Sequence, residues 1–419
     1  MDIAGVTKIL RLMEHDFDVV IAGGGLNGPA LALALADAGL RVAVVDARPA
    51  DARAGEAFDG RAYALALASQ RLLAALDLWP GLAADAQPIN EVCASQGSPG
   101  EGADPFGLHF NSAEIEEGRL GYMLEDRFLY RALLAAMEKR VTHFPGIGVV
   151  AQGEGQAGVT VGLSDGRQLR ARLLVGADGR QSGTAERAGI GRRGRDYGQI
   201  ALVAALDHDL PHGGIAHQYF MESGPLAILP LPGNRSSIVW SERVDSARAI
   251  MALDDADFLE VLRPRFGDFL GAIRLTGPRF SYPLGLTLAD RYVAERVALI
   301  GDAAHGVHPI AGQGLNLGLR DVAALAEVIV AARRRGEDIG SLAVLKRYEE
   351  WRRPDATRLA LGMDRVNALF SNANPLLRLG RSLGMGVIDA VPGLRRGFMR
   401  QAAGLSLDPM PKLLTGRRL

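Results

Sequence analysis

The sequence predicts an α/β protein: one α/β domain assembled from separated segments, an antiparallel sheet inserted between them, and a helical C-terminal region. Three stretches carry that prediction. Val293–Asp321 runs from an apolar strand, Val297–Ile300, through Gly301-Asp302 and a glycine-rich loop into the apolar-periodic run Leu315–Val330 of a long helix. Phe17–Ala22 is a short apolar strand that enters Gly23-Gly24-Gly25-Leu26-Asn27-Gly28 and then a helix over Pro29–Ala38. Between Gln199 and Tyr282 the pattern changes to short alternating runs separated by Pro and Gly, as in an antiparallel sheet.

Taken in order, the first element is a βαβ unit. Gly39 ends its helix, and Arg41–Val45 forms the second strand, closing on Asp46. The G-x-G-x-x-G spacing lies between strand and helix, where glycines permit a tight turn and let a pyrophosphate approach the helix N-terminus. Asp46 then stands where a ribose offers its hydroxyls. Gly23, Gly25, Leu26, Asn27, Gly28, Asp46, Ala47 and Arg48 are therefore candidate cofactor contacts. Asp59–Trp79 contains a helix of small and apolar residues, with Arg61 at its start. Arg61 reads either as a cation meeting a phosphate or ring edge, or as a surface arginine.

Gln87–Glu114 reads as sheet edges and loops, Tyr122–Met137 as helix, and Val159–Leu173 as a hairpin turning at Ser164-Asp165-Gly166. Leu173–Gly179 is another apolar strand ending beside an acid, Asp178. Three strand-end carboxylates in glycine-containing segments, Asp46, Asp178 and Asp302, are hard to explain without a dinucleotide. Ile200–Leu206, His217–Met221, Leu226–Leu231 and Ser236–Glu242 supply the inserted sheet, and Ala256–Arg265 a helix. In the last motif Gly301, Asp302, Pro309, Gly312, Gly314, Leu315 and Asn316 complete the candidate cradle. Its glycines admit a flat ring, and its helix start presents unpaired N–H groups. The expected division is 1–80, 115–190 and 285–345 for the cofactor domain, 81–114 and 191–284 for the substrate domain, and 346–419 for the helical region.

Composition narrows the class. The 47 Lys and Arg nearly cancel 48 Asp and Glu, which argues against a nucleic-acid partner. One cysteine, Cys93, excludes an internal disulfide framework or a Cys-rich metal site and reads as a packing residue. His305 and His308 lack metal-ligand company at suitable spacing, so no metal is expected. No charge-free apolar run reaches the roughly 18–20 residues that span a bilayer, and the N-terminus lacks a secretion-signal core. The expected location is cytoplasmic, or peripheral on the inner membrane face. Pro375–Gly404 mixes apolar residues with Arg378, Arg381, Arg395, Arg396 and Arg400; such a basic amphipathic tail lies on a membrane or partner, or covers the protein's own core.

These motifs together resemble the flavoprotein aromatic monooxygenases of the p-hydroxybenzoate hydroxylase fold. GDAAHGVHPIAGQGLNLGLRD, with DGRAYALA, LPLPGNRSSIVWSE, SYPLG and RVNALFSNANPLLRLGR, is similar to the UbiH-type branch, the ubiquinone-biosynthesis hydroxylases. The resemblance covers nearly the whole chain. It implies a Rossmann-like FAD-binding domain with an inserted antiparallel-sheet substrate domain and a helical C-terminal region. The family's Asp-Gly motif continues to a Ser and an Arg; here Ser182 is present, Ala185 takes the Arg position, and Arg187 follows. The family arginine of the Tyr122–Met137 helix falls on Asp126 by counting, so Arg127 beside it is carried over as a cofactor contact.

The implied chemistry uses FAD, NADPH or NADH as transient reductant, and O2, which together give a flavin C4a-hydroperoxide that hydroxylates a polyprenylated phenol. That oxidant needs a dry chamber. Tyr219, Leu226, Ile228 and Leu229 of the inserted sheet, with Pro309, are expected to wall it. No catalytic side chain is assigned. His305 and His308 either relay the phenol proton or, the favoured reading, shape their loop. A prenyl reductase of the same fold and a non-catalytic flavoprotein scaffold are the rival readings; the tryptophans do not form the W-x-W-x-I-P pattern of flavin halogenases.

Overall fold

The computed structural model describes residues 15–52, 55, 58, 60–98, 100, 102–103, 107–155, 158–307, 312–370 and 384–419. The first βαβ unit comprises β1 (Phe17–Ala22), α1 (Asn27–Asp37) and β2 (Val42–Asp46). β1 is the centre of a parallel sheet. β2 lies on one side of it, followed by Thr142–Pro145, and on the other side lie β5 (Gln168–Gly176) and then β11 (Val297–Leu299). Strands this hydrophobic are buried on both faces, which is why they read as continuous apolar runs. The helix α1 carries Leu31, Leu33 and Leu35 at 0% exposure, each side chain worth about 1.5–3 kcal/mol of burial. Its small residues Ala30, Ala32 and Ala34 let the long helix α6 (Gln313–Arg334) lie against it in the same core.

The short stretch after residue 60 is strand before it is helix. β3 (Ala62–Ala66) pairs antiparallel with β4 (Gly121–Glu125), and only then does α2 (Leu67–Ala75) begin. The segment read as helix over Tyr122–Met137 likewise starts as β4 and becomes α3 (Asp126–Met137). Alternation over five residues is too short a signal to separate from helical spacing when both sides are apolar.

The inserted sheet is longer than its sequence pattern suggests. β6 (Arg192–His208) and β10 (Ile273–Ala289) are 17 residues each and pair from Arg192↔Ala289 to His208↔Ile273. β7 (Ile215–Met221), β8 (Gly224–Leu231) and β9 (Arg235–Arg243) complete it, in the order β10-β6-β9-β8-β7, with Glu91–Ser98 added parallel to β7. One face packs on α4 (Val244–Ala252) and α5 (Asp255–Phe266) around Leu226, Ile228, Ile238, Trp240 and Phe258. The opposite face looks toward the parallel-sheet domain. α7 (Leu342–Phe370) braces both domains, and α8 (Pro392–Ala402) closes the C-terminal region.

Candidate functional site

A cavity of about 710 Å³ lies where the carboxyl ends of β1, β2 and β5 meet the loop after β11 and the bare face of the inserted sheet. Ligands bind at this position in open α/β sheets because the strand ends and helix starts leave backbone polar groups unpaired there. Asp46, Asp178 and Asp302 all line this one cavity, although they lie far apart in sequence.

The wall near β1 is made of backbone. A Cβ on Gly28 would sit 2.0 Å from the carbonyl oxygen of Gly23, and one on Gly23 would sit 2.3 Å from that of Ala177. The turn therefore closes only with hydrogens at those positions. Gly23, Gly25, Leu26 and Asn27 line the cavity, and Gly28 lies beneath them in the turn. The Oδ1 of Asn27 is buried at the cavity wall with no partner among the described residues. Asp46, Ala47 and Arg48 follow at the end of β2, and Asp46 Oδ1 accepts from the Arg48 N–H at 3.0 Å.

Asp178 works mostly inward. Its Oδ1 accepts from Ser182 Oγ at 2.5 Å, and its Oδ2 from the N–H and hydroxyl of Thr184 at 2.9 and 2.8 Å. Ser182 in turn caps the short helix Gly183–Arg187 by accepting from Ala185 N. The carboxylate thus fixes the turn that carries Gly179, Arg180 and Gln181 along the cavity. Arg187, two residues after Ala185, also lines the cavity, with its Nε donating to Gln152 at 3.3 Å.

Asp302 is the more available acid. Its Oδ2 receives Arg180 Nε at 3.3 Å, while Oδ1 has no partner among the described residues. Arg180 also reaches the carbonyls of Val307 at 3.3 Å and Pro283 at 3.5 Å, so it spans the seam between the two domains. Gly301, just before it, is not on the wall; its N–H donates to Asp321 at 2.9 Å and holds the loop down.

Behind that loop is a buried charge network. Asp321 receives Gly301 N, His305 Nε2 at 2.5 Å and Arg352 Nε at 2.9 Å, and all three side chains are at most 1% exposed. Burial works to raise the Asp321 carboxyl, but His305, Arg352 and the Gly301 N–H hold it below the ordinary carboxylate range. His305 therefore shapes the loop from behind and does not reach the cavity, whereas His308 falls outside the described residues.

The start of α6 supplies the last wall. Gly312 is left-handed (φ 63°), with the position of its would-be Cβ 2.8 Å from the Ala64 side chain, and Gly312, Gly314 and Leu315 face the cavity. Asn316 does not. Its Oδ1 accepts from Ala66 N and Ser69 Oγ, and its Nδ2 donates to the carbonyls of Ala64 and Gly312, which occupies both amide hydrogens. It clamps the helix start onto β3 and α2.

Other expected contacts also lie elsewhere. Arg61 faces the buried Asp126 at 3.5 Å, and Arg127 pairs with Glu125 at 2.6 Å beside the Phe58 and Phe128 rings; neither lines the cavity. Pro309 lies outside the described residues. On the inserted sheet Leu229 faces the cavity, but Tyr219, Leu226 and Ile228 point the other way, into the core over α4 and α5. The pleat explains this: successive side chains take opposite faces, so Gln218 faces inward where Tyr219 faces outward. Gln218 and Tyr282 were missed because alternation reveals two faces without saying which one is open; Arg180 was missed because it stands on a turn, where no periodicity marks a direction.

The cradle suits FAD: backbone walls for a pyrophosphate, acids for ribose and ribityl hydroxyls, and a helix start for a ring edge. Among known proteins, the FAD binding domain family matches residues 16–361. The ubiquinone hydroxylase UbiL of Rhodospirillum rubrum is 47% identical over 404 residues, covering 95% of this chain and 92% of that one. The 3-demethoxyubiquinol 3-hydroxylase of Escherichia coli is 35% identical over 93% of this chain and 98% of its own. Among solved structures, PqsL of P. aeruginosa in complex with 2-aminobenzoylacetate superposes with a TM-score of 0.73 at 26% identity, covering 88% of this chain and 99% of that one. On the strength of these matches and of the cradle, the chain belongs to the FAD-binding-domain family of monooxygenases, in its UbiH-type ubiquinone-hydroxylase branch.

Proposed function

We propose that this protein hydroxylates the aromatic ring of a polyprenylated phenol on the route to ubiquinone, using FAD, a nicotinamide reductant and O2. The observation that carries this reading is one cavity with a polar backbone cradle on one side and a mostly apolar sheet face on the other. Bound FAD would pass the nicotinamide's two electrons to O2, one oxygen atom going to the ring and the other leaving as water. The chain's own residues bind and exclude. Asp46 and Asp302 would accept cofactor hydroxyls, and the N–H groups at the start of α6 would stabilise an electron-rich ring edge. Ala227, Leu229 and Val239 keep water from the reacting centre.

In the test, holoprotein is mixed with NADH or NADPH and a short-chain prenylated phenol. The expected result is O2 consumption and a ring-hydroxylated product one oxygen heavier by mass spectrometry. Reduction of the prenyl chain without O2 uptake would replace this reading by the prenyl reductase. Flavin that neither nicotinamide reduces would replace it by the scaffold.

The C-terminal region supports a further part of the proposal, contact with an anionic membrane surface. Val387, Val391, Leu394 and Phe398 are 42–58% exposed; Leu394 and Phe398 lie one turn apart on α8, and Val391, its extended cap, and Val387, in the helical segment before it, continue this apolar stripe. The other side of this region is held down by buried Met385 and Met399, by Arg395–Glu114 at 2.6 Å, by Arg400–Glu117, and by Asp389 accepting from His109 N. Arg396 is exposed next to the stripe, and the only carboxylate of 384–404 is the inward-bonded Asp389. No helix among the described residues is long and apolar enough to cross a membrane, so the stripe would lie in the interface. Leu394→Asp with Phe398→Asp should reduce co-sedimentation with anionic vesicles at least ten-fold while FAD content stays unchanged. Equal sedimentation, or loss of a protein partner instead, would remove the membrane from the proposal.

A further inference from the structure

The inserted sheet turns five side chains toward the cavity: Gln218, Ala227, Leu229, Val239 and Tyr282. Three are apolar. The two polar ones, Gln218 and Tyr282, have no hydrogen-bond partner among the described residues. A polar group placed on an apolar ligand wall and left unpaired is the usual mark of a contact that orients a ligand. Strand pairing places the two at different ends of that wall. Gln218 is directly opposite Ala227, and Ala227 opposite Val239, so these three form one row across β7, β8 and β9. Tyr282 lies on β10, beyond β6, at the end where Arg180 and Asp302 stand. Burial raises the Tyr282 hydroxyl above its ordinary pKa, and Arg180 pulls it partly back.

We propose that Gln218 is the specificity-determining residue that holds the oxygenated edge of the substrate ring, with Ala227 and Val239 as the platform for its face. This rests on the hydroxylase reading above. A carboxamide presents an acceptor and a donor side by side and carries no charge at any working pH. Oε1 accepts from a phenol O–H while Nε2 donates to an oxygen on the neighbouring ring carbon. The substrate class that satisfies both is an ortho-oxygenated phenol, a hydroxyl beside an ether or second hydroxyl. A ring bearing one oxygen leaves half of the amide unpaired, and sites built to hydrogen-bond a group discriminate against ligands that lack it.

The test uses the FAD-loaded protein and reads ligand binding from the perturbation of its visible flavin spectrum. The probes are two short-chain prenylated rings, a phenol and its 2-methoxy counterpart. Wild type is expected to bind the 2-methoxyphenol about ten-fold more tightly, the scale of one or two neutral hydrogen bonds. Gln218→Leu should bring the two affinities within about two-fold of each other while the FAD content stays unchanged. Gln218→Glu, nearly isosteric, keeps an acceptor but loses the donor, so above the carboxylate pKa it should also lose the preference. Tyr282→Phe should retain it. If Gln218→Leu and Gln218→Glu both keep the wild-type preference, or wild type shows none, the proposal is wrong while the hydroxylase reading stands. Wild type that binds neither ring would bring down that reading and this proposal together.

Discussion

Replacing Asp302 by Ala is expected to give a folded protein that purifies without visible flavin absorbance and binds added FAD about 10- to 100-fold more weakly. The magnitude follows from the chemistry of the group. A hydrogen bond to a charged acceptor is worth about 1.5–3 kcal/mol, and each 1.4 kcal/mol is a factor of ten in affinity. Asp302 lines the cavity, and its Oδ1 is uncommitted, so the carboxylate is placed to receive a ligand hydroxyl. The substitution also leaves Arg180 without its carboxylate at the domain seam. Because the Asp302 side chain is 42% exposed, little fold stability is at stake. Far-ultraviolet circular dichroism should be unchanged, and quenching of FAD fluorescence on titration measures the affinity. A variant that keeps a full complement of flavin would remove Asp302 from the cradle.

Asp321→Ala should behave in the opposite way, as a stability defect from which cofactor loss follows. The carboxylate is fully buried, and it neutralises Arg352, which is also fully buried. Removing one partner of a buried pair costs about 3–5 kcal/mol when the other charge is left alone; Arg352 keeps Asp355 at 2.6 Å, so the lower end of that range is expected. The Gly301 N–H loses its acceptor at the same time, so the loop that presents Asp302 loosens. The expected measurement is a fall in thermal midpoint far larger than for Asp302→Ala, with Arg352→Met giving a similar fall. The Asp321→Leu, Arg352→Leu double variant should recover part of the loss, since it buries no unpaired charge. An acid limb goes with this network. The Asp321 carboxyl is depressed in the folded protein, so its contribution is complete above the unfolded value of about 4 and is lost as pH falls through the folded one. Wild type should therefore lose stability below about pH 4, and the double variant should show a shallower acid limb. A single Asp321→Ala variant that melts with wild type would show that the network contributes nothing net.

The difference between these two acids was not legible in the sequence. Asp302 and Asp321 belong to one motif, GDAAHGVHPIAGQGLNLGLRD, and each stands beside glycines or apolar residues. One lines the cavity and the other is sealed behind it. What separates them is α7, which brings Arg352 against Asp321 from a segment that the local pattern links to neither.

Local chemistry fixed a good deal. Gly23 and Gly28 sit in a turn that a Cβ would break, and their spacing alone, between an apolar strand and a helix, identifies a nucleotide cradle. Asp178 and Asp302 could be placed in the same way, because each stands beside a glycine at the end of an apolar strand, and Asp46 because it ends the second strand of the βαβ unit. Tertiary structure decided which residues share the wall. Asn316 stands in the motif beside Leu315, yet its amide is used up on β3 and α2. Arg61 and Arg127 carry charge in the right segments, but Asp126 and Glu125 stand against them. Gln218 and Tyr219 are chain neighbours, and only the packing of α4 and α5 against one face of the sheet determines that the glutamine, not the tyrosine, faces the cavity. A pleat has two equivalent faces until something covers one of them, and what covers this one lies more than twenty residues further along the chain.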